Sequence, residues 1–370
     1  MTGHTLVIGA GVSGLSVART LLQLGQRVTV LERGAAGGES SWAGGGILSP
    51  LLPWDYDEPV TALALRSMAG YADWVDGVEA ASGQNVEFWR CGMLALDVTA
   101  PEQALAWCAA HGMAALRDCP GTPPLAPAVP PEDNRIWLPD VAQARNPRLV
   151  AALRAAVIRQ GGTLREHCPA TGVLTQGGRV TAVRTVTEDF PADRVVLATG
   201  AWSGLGLTGL AATPHVRPIR GQMLLFKLEP GTLETILYRG GLYLIPRRDG
   251  HLLVGSTLED AGFDKSTDDA TRRRLHAEAA DLLPALAAAQ AVRHWAGLRP
   301  GSPDNIPVID RHPDFDNVFV NAGHYRYGVT MAPASAELLA DLMDGRTPAL
   351  DPAPYRWQAA LTRSWEKACS

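Results

Sequence analysis

Thr5-Leu6-Val7-Ile8-Gly9-Ala10-Gly11-Val12-Ser13-Gly14 decides the fold: a short apolar run predicts a buried strand, and three glycines follow it in the spacing G-x-G-x-x-G. Leu15 to Leu24 then carries apolar residues at helical spacing, and Arg27-Val28-Thr29-Val30-Leu31 predicts a second strand that ends on an acid, Glu32. Strand, turn, helix, strand and acid together make the dinucleotide-binding βαβ fingerprint. Gly9 permits the tight turn, Gly11 lets the backbone approach a pyrophosphate, and Gly14 lets the helix pack close to the strand. The helix N-terminus presents its amides to the phosphates. Glu32 suits a ribose 2′-hydroxyl and would repel a 2′-phosphate.

Outward from the fingerprint, residues 33 to 48 hold six glycines and two serines, Ser40 and Ser41, before the apolar Ile47-Leu48. Such a stretch suits a backbone that lies against a ligand and gives it amides and hydroxyls. Later, Arg194-Val195-Val196-Leu197-Ala198-Thr199-Gly200 predicts another buried strand running into a glycine turn, where the chain would return to the nucleotide-binding unit.

The intervening pattern alternates helix and strand. Ala62 to Gly77 has helical periodicity, Gly83 to Val98 reads as strand, turn and strand around Gly92, and Cys119 to Pro131 is proline-rich enough to be a surface loop. A helix is predicted over Pro147 to Arg159, a strand near Leu164, and a hairpin over Thr171 to Val186 turning at Gly177-Gly178. Strand-like runs fill residues 216 to 257, Ala270 to Gln290 is helical, and a last helix is expected to begin near Ala332.

Composition excludes several classes. The chain has 370 residues, 46% hydrophobic and 19% charged, with a net charge of -5, so it offers no basic field for nucleic acid. The fingerprint strand begins within five residues of Met1 and no apolar run reaches membrane-spanning length, so neither a signal peptide nor a membrane partner is expected, and a cytoplasmic location is. Five cysteines without a C-x-x-C pair, and nine histidines without metal spacing, point to ordinary thiols and to no metal.

Two arginines stand in glycine-flanked turns: Arg299 in Trp295-Ala-Gly-Leu-Arg-Pro-Gly301, and Arg326 in Gly323-His-Tyr-Arg-Tyr-Gly328. A guanidinium clamps a carboxylate through two parallel hydrogen bonds, so either suits an acid substrate. Tyr243 alternates with apolar neighbours and, taken alone, reads as a core or cross-strand aromatic.

The fingerprint, Ser40-Ser41-Trp-Ala-Gly-Gly-Gly46-Ile47-Leu48, Ala198-Thr-Gly-Ala-Trp-Ser203, Arg217-Pro-Ile-Arg-Gly-Gln222 and the two arginine turns occur in one order along the chain. In this they resemble the D-amino-acid oxidase group of FAD-dependent flavoproteins, most closely its glycine oxidase branch, which is associated with thiamine biosynthesis. The resemblance implies an α/β fold in which a Rossmann-like FAD-binding domain (residues 1–50, 140–212 and 291–370) is interleaved with an antiparallel-sheet α+β substrate domain (51–139 and 213–290). It implies FAD contacts at Gly9, Gly11, Val12, Ser13, Gly14, Glu32, Arg33, Ser40, Ser41, Gly45, Gly46, Ile47 and Ala170, and a second group at His324, Tyr325, Arg326, Tyr327, Gly328, Val329 and Thr330. Arg299 matches the family's carboxylate-binding arginine, Arg326 a second substrate contact, and Tyr243 the tyrosine that closes over the substrate. Ala170 stands where the family usually has valine, and Ile47 where some relatives have methionine. A neighbouring branch ties its flavin to a cysteine at the position of Gly297, so non-covalent FAD is expected here.

The implied reaction is oxidation of a small amino acid, glycine first, to its imine, with dioxygen as electron acceptor and hydrogen peroxide as product. Hydride leaves the α-carbon of the neutral amine directly, so such an oxidase needs no general base. The alternatives are a D-amino-acid or sarcosine oxidase or dehydrogenase, and a flavin-binding structural subunit of a complex. The residues identify no self-complementary surface, which leaves a homo-oligomer open.

Overall fold

The computed structural model describes residues 3–120, 125 and 134–365. Most of the proline-rich loop expected over Cys119 to Pro131 lies outside them.

The fingerprint strand His4–Ile8 is the centre of a six-stranded sheet. It pairs in parallel with Arg27–Leu31 on one side and Arg194–Leu197 on the other, in registers that set Val7 against Val30 and Val196. Thr163–Arg165 adds beyond Arg27–Leu31, Val318–Ala322 adds beyond Arg194–Leu197, and only the edge strand Val308–Arg311 runs antiparallel. Parallel strands are covered on both faces, which is why these runs are continuously apolar rather than alternating. Helix Val12–Gln23 packs against the sheet through Leu15, Ala18 and Leu21, all fully buried. That contact depends on missing side chains: a Cβ at Gly14 would stand 1.9 Å from the Gly9 carbonyl oxygen, and one at Gly9, whose φ is +105°, would stand 2.3 Å from that of Ala198.

A second, seven-stranded sheet has the order Arg293–Gly301, Arg217–Lys227, His251–Gly255, Leu242–Pro246, Ile236–Arg239, Met93–Ala95, Ile136–Leu138. All its pairs are antiparallel except Ile236–Arg239 with Met93–Ala95. Strand alternation divides its residues between two cores. Met223, Tyr238, Tyr243, Ile245 and Leu253 face the fingerprint side, while Leu224, Phe226, Leu237, Leu244 and Val254 pack under helix Asp269–Ala280. The hairpin Ala170–Gln176 with Arg179–Thr185 turns at Gly177 and Gly178, both at positive φ, as the sequence leads one to expect.

Four local expectations need correction. The helical run over 62–77 is two helices, Glu58–Ala69 and Tyr71–Ser82, which meet at Gly70. Trp89–Arg90 and Met93–Ala95 are not a hairpin: the first pairs with Ala142–Gln143 in a small sheet and the second joins the seven-stranded one. The helix expected over 270–290 spans Asp269–Ala280 and is followed by a separate turn at Pro284–Leu286. The last helix begins at Gly328 rather than near Ala332, and it contains Pro333 within its first two turns. As the sixth residue of the helix, Pro333 removes the amide that would have bonded the Val329 carbonyl, and Tyr71 Oη donates to that carbonyl at 3.0 Å instead. In addition, Arg293–Gly301 pairs along its whole length with Arg217–Lys227, so the second sheet extends past the boundary set at 290.

Candidate active site

A cavity of about 390 Å³ runs from the fingerprint glycines to the inner face of the seven-stranded sheet. It opens at the carboxyl ends of the parallel strands, where open α/β sheets bind ligands. Of the residues expected to touch a cofactor, Gly14 and Thr330 alone do not line it. Gly14 is taken up by the helix–strand contact, and Thr330 donates from Oγ1 to the Ile47 carbonyl at 3.1 Å, which fixes the glycine loop to the last helix.

At the fingerprint end, the Glu32 carboxylate is aimed by two backbone amides: Ala10 donates to Oε2 at 2.8 Å and Gly34 to Oε1 at 2.9 Å. Its remaining lone pairs are free for ribose hydroxyls. Gly11 caps the helix without a side-chain bond, so the amides of the first turn face the cavity. The Val12 amide donates to Ser41 Oγ at 2.9 Å, and that hydroxyl keeps its own proton to give. Ser40 Oγ donates to the Leu298 carbonyl, which leaves it an acceptor. Over the mouth, Arg33 pairs with Glu39 at 2.8 Å and stacks 3.4 Å above Trp202.

On the opposite wall, Gly328–Asp344 begins with a second set of unpaired first-turn amides, since Tyr327 offers no side-chain cap. The turn before it is shaped by Gly323 at φ +82° and by Tyr325 at φ +45°, whose amide donates to the Pro300 carbonyl at 3.0 Å. His324 is 2% exposed, and burial pushes its pKa down to about 4, so it is a neutral imidazole bridging Ser335 at 3.0 Å and Ser13 at 3.4 Å.

At the far end the geometry is built from side chains. Arg299 Nη1 donates to the Thr257 carbonyl at 3.1 Å and Nη2 to Ser256 Oγ at 2.5 Å, while Tyr243 Oη donates to the same Ser256 oxygen at 2.8 Å. Ser256 thus ties together the arginine and tyrosine that the sequence named separately. The guanidinium lies flat on Gly221, where a Cβ would come within 2.0 Å of Nη1. The turn bearing Ser256 is itself anchored: Thr257 Oγ1 accepts from the Gln222 amide at 2.8 Å, and Glu259 binds Arg220 and Gln222. Arg326 sits between this cavity and an outer groove shared with Arg239, Arg274 and Glu259. Burial weakens its hold on the proton, but Tyr327, Tyr56, Tyr325 and Tyr243 around it outweigh that, so its charge is permanent.

Three site residues escape sequence reasoning. Ser256 is one, because its partners lie 13 and 43 positions away. The others are Asn146 and Asn321, each 1% exposed, lining the cavity with both amide atoms lacking a hydrogen-bond partner among the described residues. Buried polar groups are almost always bonded, so these two amides mark where a polar ligand belongs. Together with Glu32 and two helix N-termini, they fit a long cofactor rich in phosphates and hydroxyls, as FAD is.

Fold and site define a nucleotide-cofactor-binding protein whose second sheet holds an arginine, a serine and a tyrosine bonded together at the far end of the cavity. Known proteins agree. A family model described as FAD dependent oxidoreductase matches residues 4–342. The glycine oxidase of Pseudomonas aeruginosa is 46% identical over 360 residues, covering 96% of this chain and 98% of the relative. That of Pseudomonas putida is 44% identical, covering 98% and 100%. The solved glycine oxidase of Geobacillus kaustophilus superposes with a TM-score of 0.86 at 26% identity, covering 96% and 99%. The chain belongs to the FAD-dependent oxidoreductase family, with the fold class expected from its sequence.

Proposed function

We propose that the protein oxidises glycine to its imine at non-covalently bound FAD, with dioxygen as acceptor. The carrying observation is the Arg299–Ser256–Tyr243 triad at the end of a cavity that begins at a dinucleotide fingerprint. The similarity to glycine oxidases over the whole chain supports glycine as the substrate.

Arg299 pairs with the substrate carboxylate, Tyr243 gives its hydroxyl to the same group, and Arg326 adds a second permanent charge; together they hold the α-carbon in one place. The chemistry that FAD supplies when bound is hydride acceptance from that carbon and delivery of the two electrons to dioxygen, forming hydrogen peroxide. Neutral His324 adds no charge beside the reacting groups. The imine either feeds assembly of the thiamine thiazole or takes up water to give glyoxylate and ammonia. Non-covalent attachment is supported at Gly297, where even a Cβ would lie 2.5 Å from that of Ala43, too close for a cysteine. The division of the chain belongs to the same proposal, with the substrate unit extended to residue 301 by its edge strand. So does a cytoplasmic location, which fits the finding that no described helix is long and apolar enough to cross a membrane.

The test is anaerobic. Protein carrying FAD is mixed separately with glycine, sarcosine and D-alanine while the flavin absorbance is followed. Glycine bleaches it fastest; no bleaching by any of the three would sink the oxidase reading.

A further inference from the structure

We propose that Arg247 is a positioning residue: it ties the strand that carries Tyr243 to the glycine loop, and so sets how far the anchored substrate stands from the cofactor. The inference rests on the function proposed above and deepens it with a residue that neither the fingerprint nor the resemblance names.

Tyr243, Ile245 and Arg247 occupy alternate positions along and just beyond strand Leu242–Pro246, which gives them one face of the seven-stranded sheet. That face meets the glycine loop at Gly45, a residue that lines the cavity. A Cβ at Gly45 would stand 2.4 Å from Ile245 Cδ1, 3.6 Å from Tyr243 Cε2 and 3.7 Å from Met223 Cε, so the loop lies against these side chains. Ile245 is a stop that prevents closer approach. Arg247 supplies the opposing pull, since its Nη2 donates to the Gly45 carbonyl at 2.8 Å. Stop and tie together fix the spacing from both directions.

The rest of the guanidinium stiffens the tie. Nη1 donates to Gln143 Oε1 and to the Ala144 carbonyl at 3.3 Å. Strand Ala142–Gln143 pairs in turn with Ile47–Leu48, and the Ala144 amide donates to the Gly46 carbonyl at 2.9 Å. All three acceptors of Arg247 lie across the proposed division of the chain, in the FAD-binding unit, and all three are uncharged. The acids that act on the guanidinium, Glu87 and Asp249, are bonded to Arg145 at 2.8 Å and 2.9 Å. Arg247 is 6% exposed, and burial pulls its pKa down to about 10, which still keeps its charge near neutral pH. A buried cation held by neutral oxygens is costly, and what it provides here is a charge-assisted fork between two units. Arg299, Ser256 and Tyr243 are bonded to one another without it. Losing Arg247 therefore leaves the group proposed to hold the substrate whole, and releases only its distance from the glycine loop.

The experiment compares flavin-loaded parent protein with Arg247→Met. Anaerobic stopped-flow mixing with glycine gives, per loaded flavin, the limiting rate of bleaching and the glycine concentration that half-saturates it. The limiting rate should fall at least about tenfold, as misplaced reacting groups do, while the half-saturating concentration moves less than about threefold. Titration with acetate, which offers a carboxylate but no amine to oxidise, is followed by the flavin difference spectrum. The acetate dissociation constant should stay within about threefold, and the shape of the spectrum should change. An unchanged limiting rate would overturn the proposal, and so would a weakening of acetate as large as the loss in rate, because the substrate-holding group itself would then be disturbed. Ile245→Val is the second variant: it removes Cδ1, the atom that stops the loop, and keeps Arg247. Its limiting rate should differ severalfold from the parent's at unchanged acetate affinity, and equality with the parent would overturn the proposal even if Arg247→Met did not fold. Parent protein whose flavin responds to acetate but is not reduced by glycine would sink the glycine reading instead. The assignment of Arg247 would then be decided by the acetate spectrum, with an unchanged shape overturning it.

Discussion

The two ends of the cavity are built by different means. At the fingerprint end the backbone does the work, through glycines whose missing side chains let strand, helix and loop approach within van der Waals contact. At the substrate end side chains hold one another: Arg299 and Tyr243 share Ser256, which hangs on a turn fixed by Thr257 and Glu259. The difference teaches where each end is fragile. A backbone-built site fails when atoms are added, and a side-chain-built site fails when they are removed.

The largest effect should come from adding one carbon at Gly14. In Gly14→Ala the new methyl would meet the Gly9 carbonyl at 1.9 Å, so helix and strand must part. We expect a loss of about 3 kcal/mol or more and protein purified without flavin, read from the absorbance ratio and the melting temperature. A fully loaded variant melting with the parent would break the comparison at its first end.

Removal at the other end comes next. Arg299→Ala should cut kcat/KM for glycine about a thousandfold, as expected for one lost partner of a buried charge pair, with FAD content unchanged. Loss of flavin in this variant would show that the two ends are not independent.

Between them lies His324, which bridges Ser13 and the last helix. Its folded pKa of about 4 is below the ordinary 6.5, so the unfolded chain takes up the proton first. The associated stability is fully present above pH 6.5 and is lost as pH falls from there towards 4, by about 3 kcal/mol. Urea unfolding at a series of pH values measures this, and His324→Gln should flatten the profile; an unchanged profile would remove His324 as its source.

The smallest effect sharpens the comparison most. Ser256→Ala removes one hydroxyl that two ligating groups share, and should raise KM about tenfold while changing kcat little and FAD affinity not at all. A loss as large as that of Arg299→Ala would show that Ser256 itself contacts the substrate.

The same contrast explains what the sequence discloses. Gly9, Gly11 and Gly14 are legible because a backbone requirement leaves a local pattern at fixed spacing. Arg299 and Arg326 stood out by their glycine-flanked turns and Tyr243 through the family resemblance, and the structure brings all three to one cavity. Ser256, Asn146 and Asn321 left no local sign, because what marks them is a missing or shared partner in space. The misplaced start of the last helix has a similar cause: the Val329 carbonyl that Pro333 leaves without an amide is satisfied by the hydroxyl of Tyr71, a partner far away in sequence. Trp89–Arg90 and Met93–Ala95 looked like a hairpin because adjacent short strands usually pair, whereas here each is claimed by a different sheet.

Gly221 sets the depth at which the Arg299 guanidinium lies. With no side chain beneath it, the Arg299 guanidinium rests directly on a strand of the sheet and cannot sink further. A single methyl at that position would act as a shim, lifting the clamp and bringing the anchored acid nearer the cavity's entrance. On the role proposed for Arg299, the reach of the enzyme towards longer substrates is set from below, by the floor on which that arginine lies, as well as by the walls that enclose it.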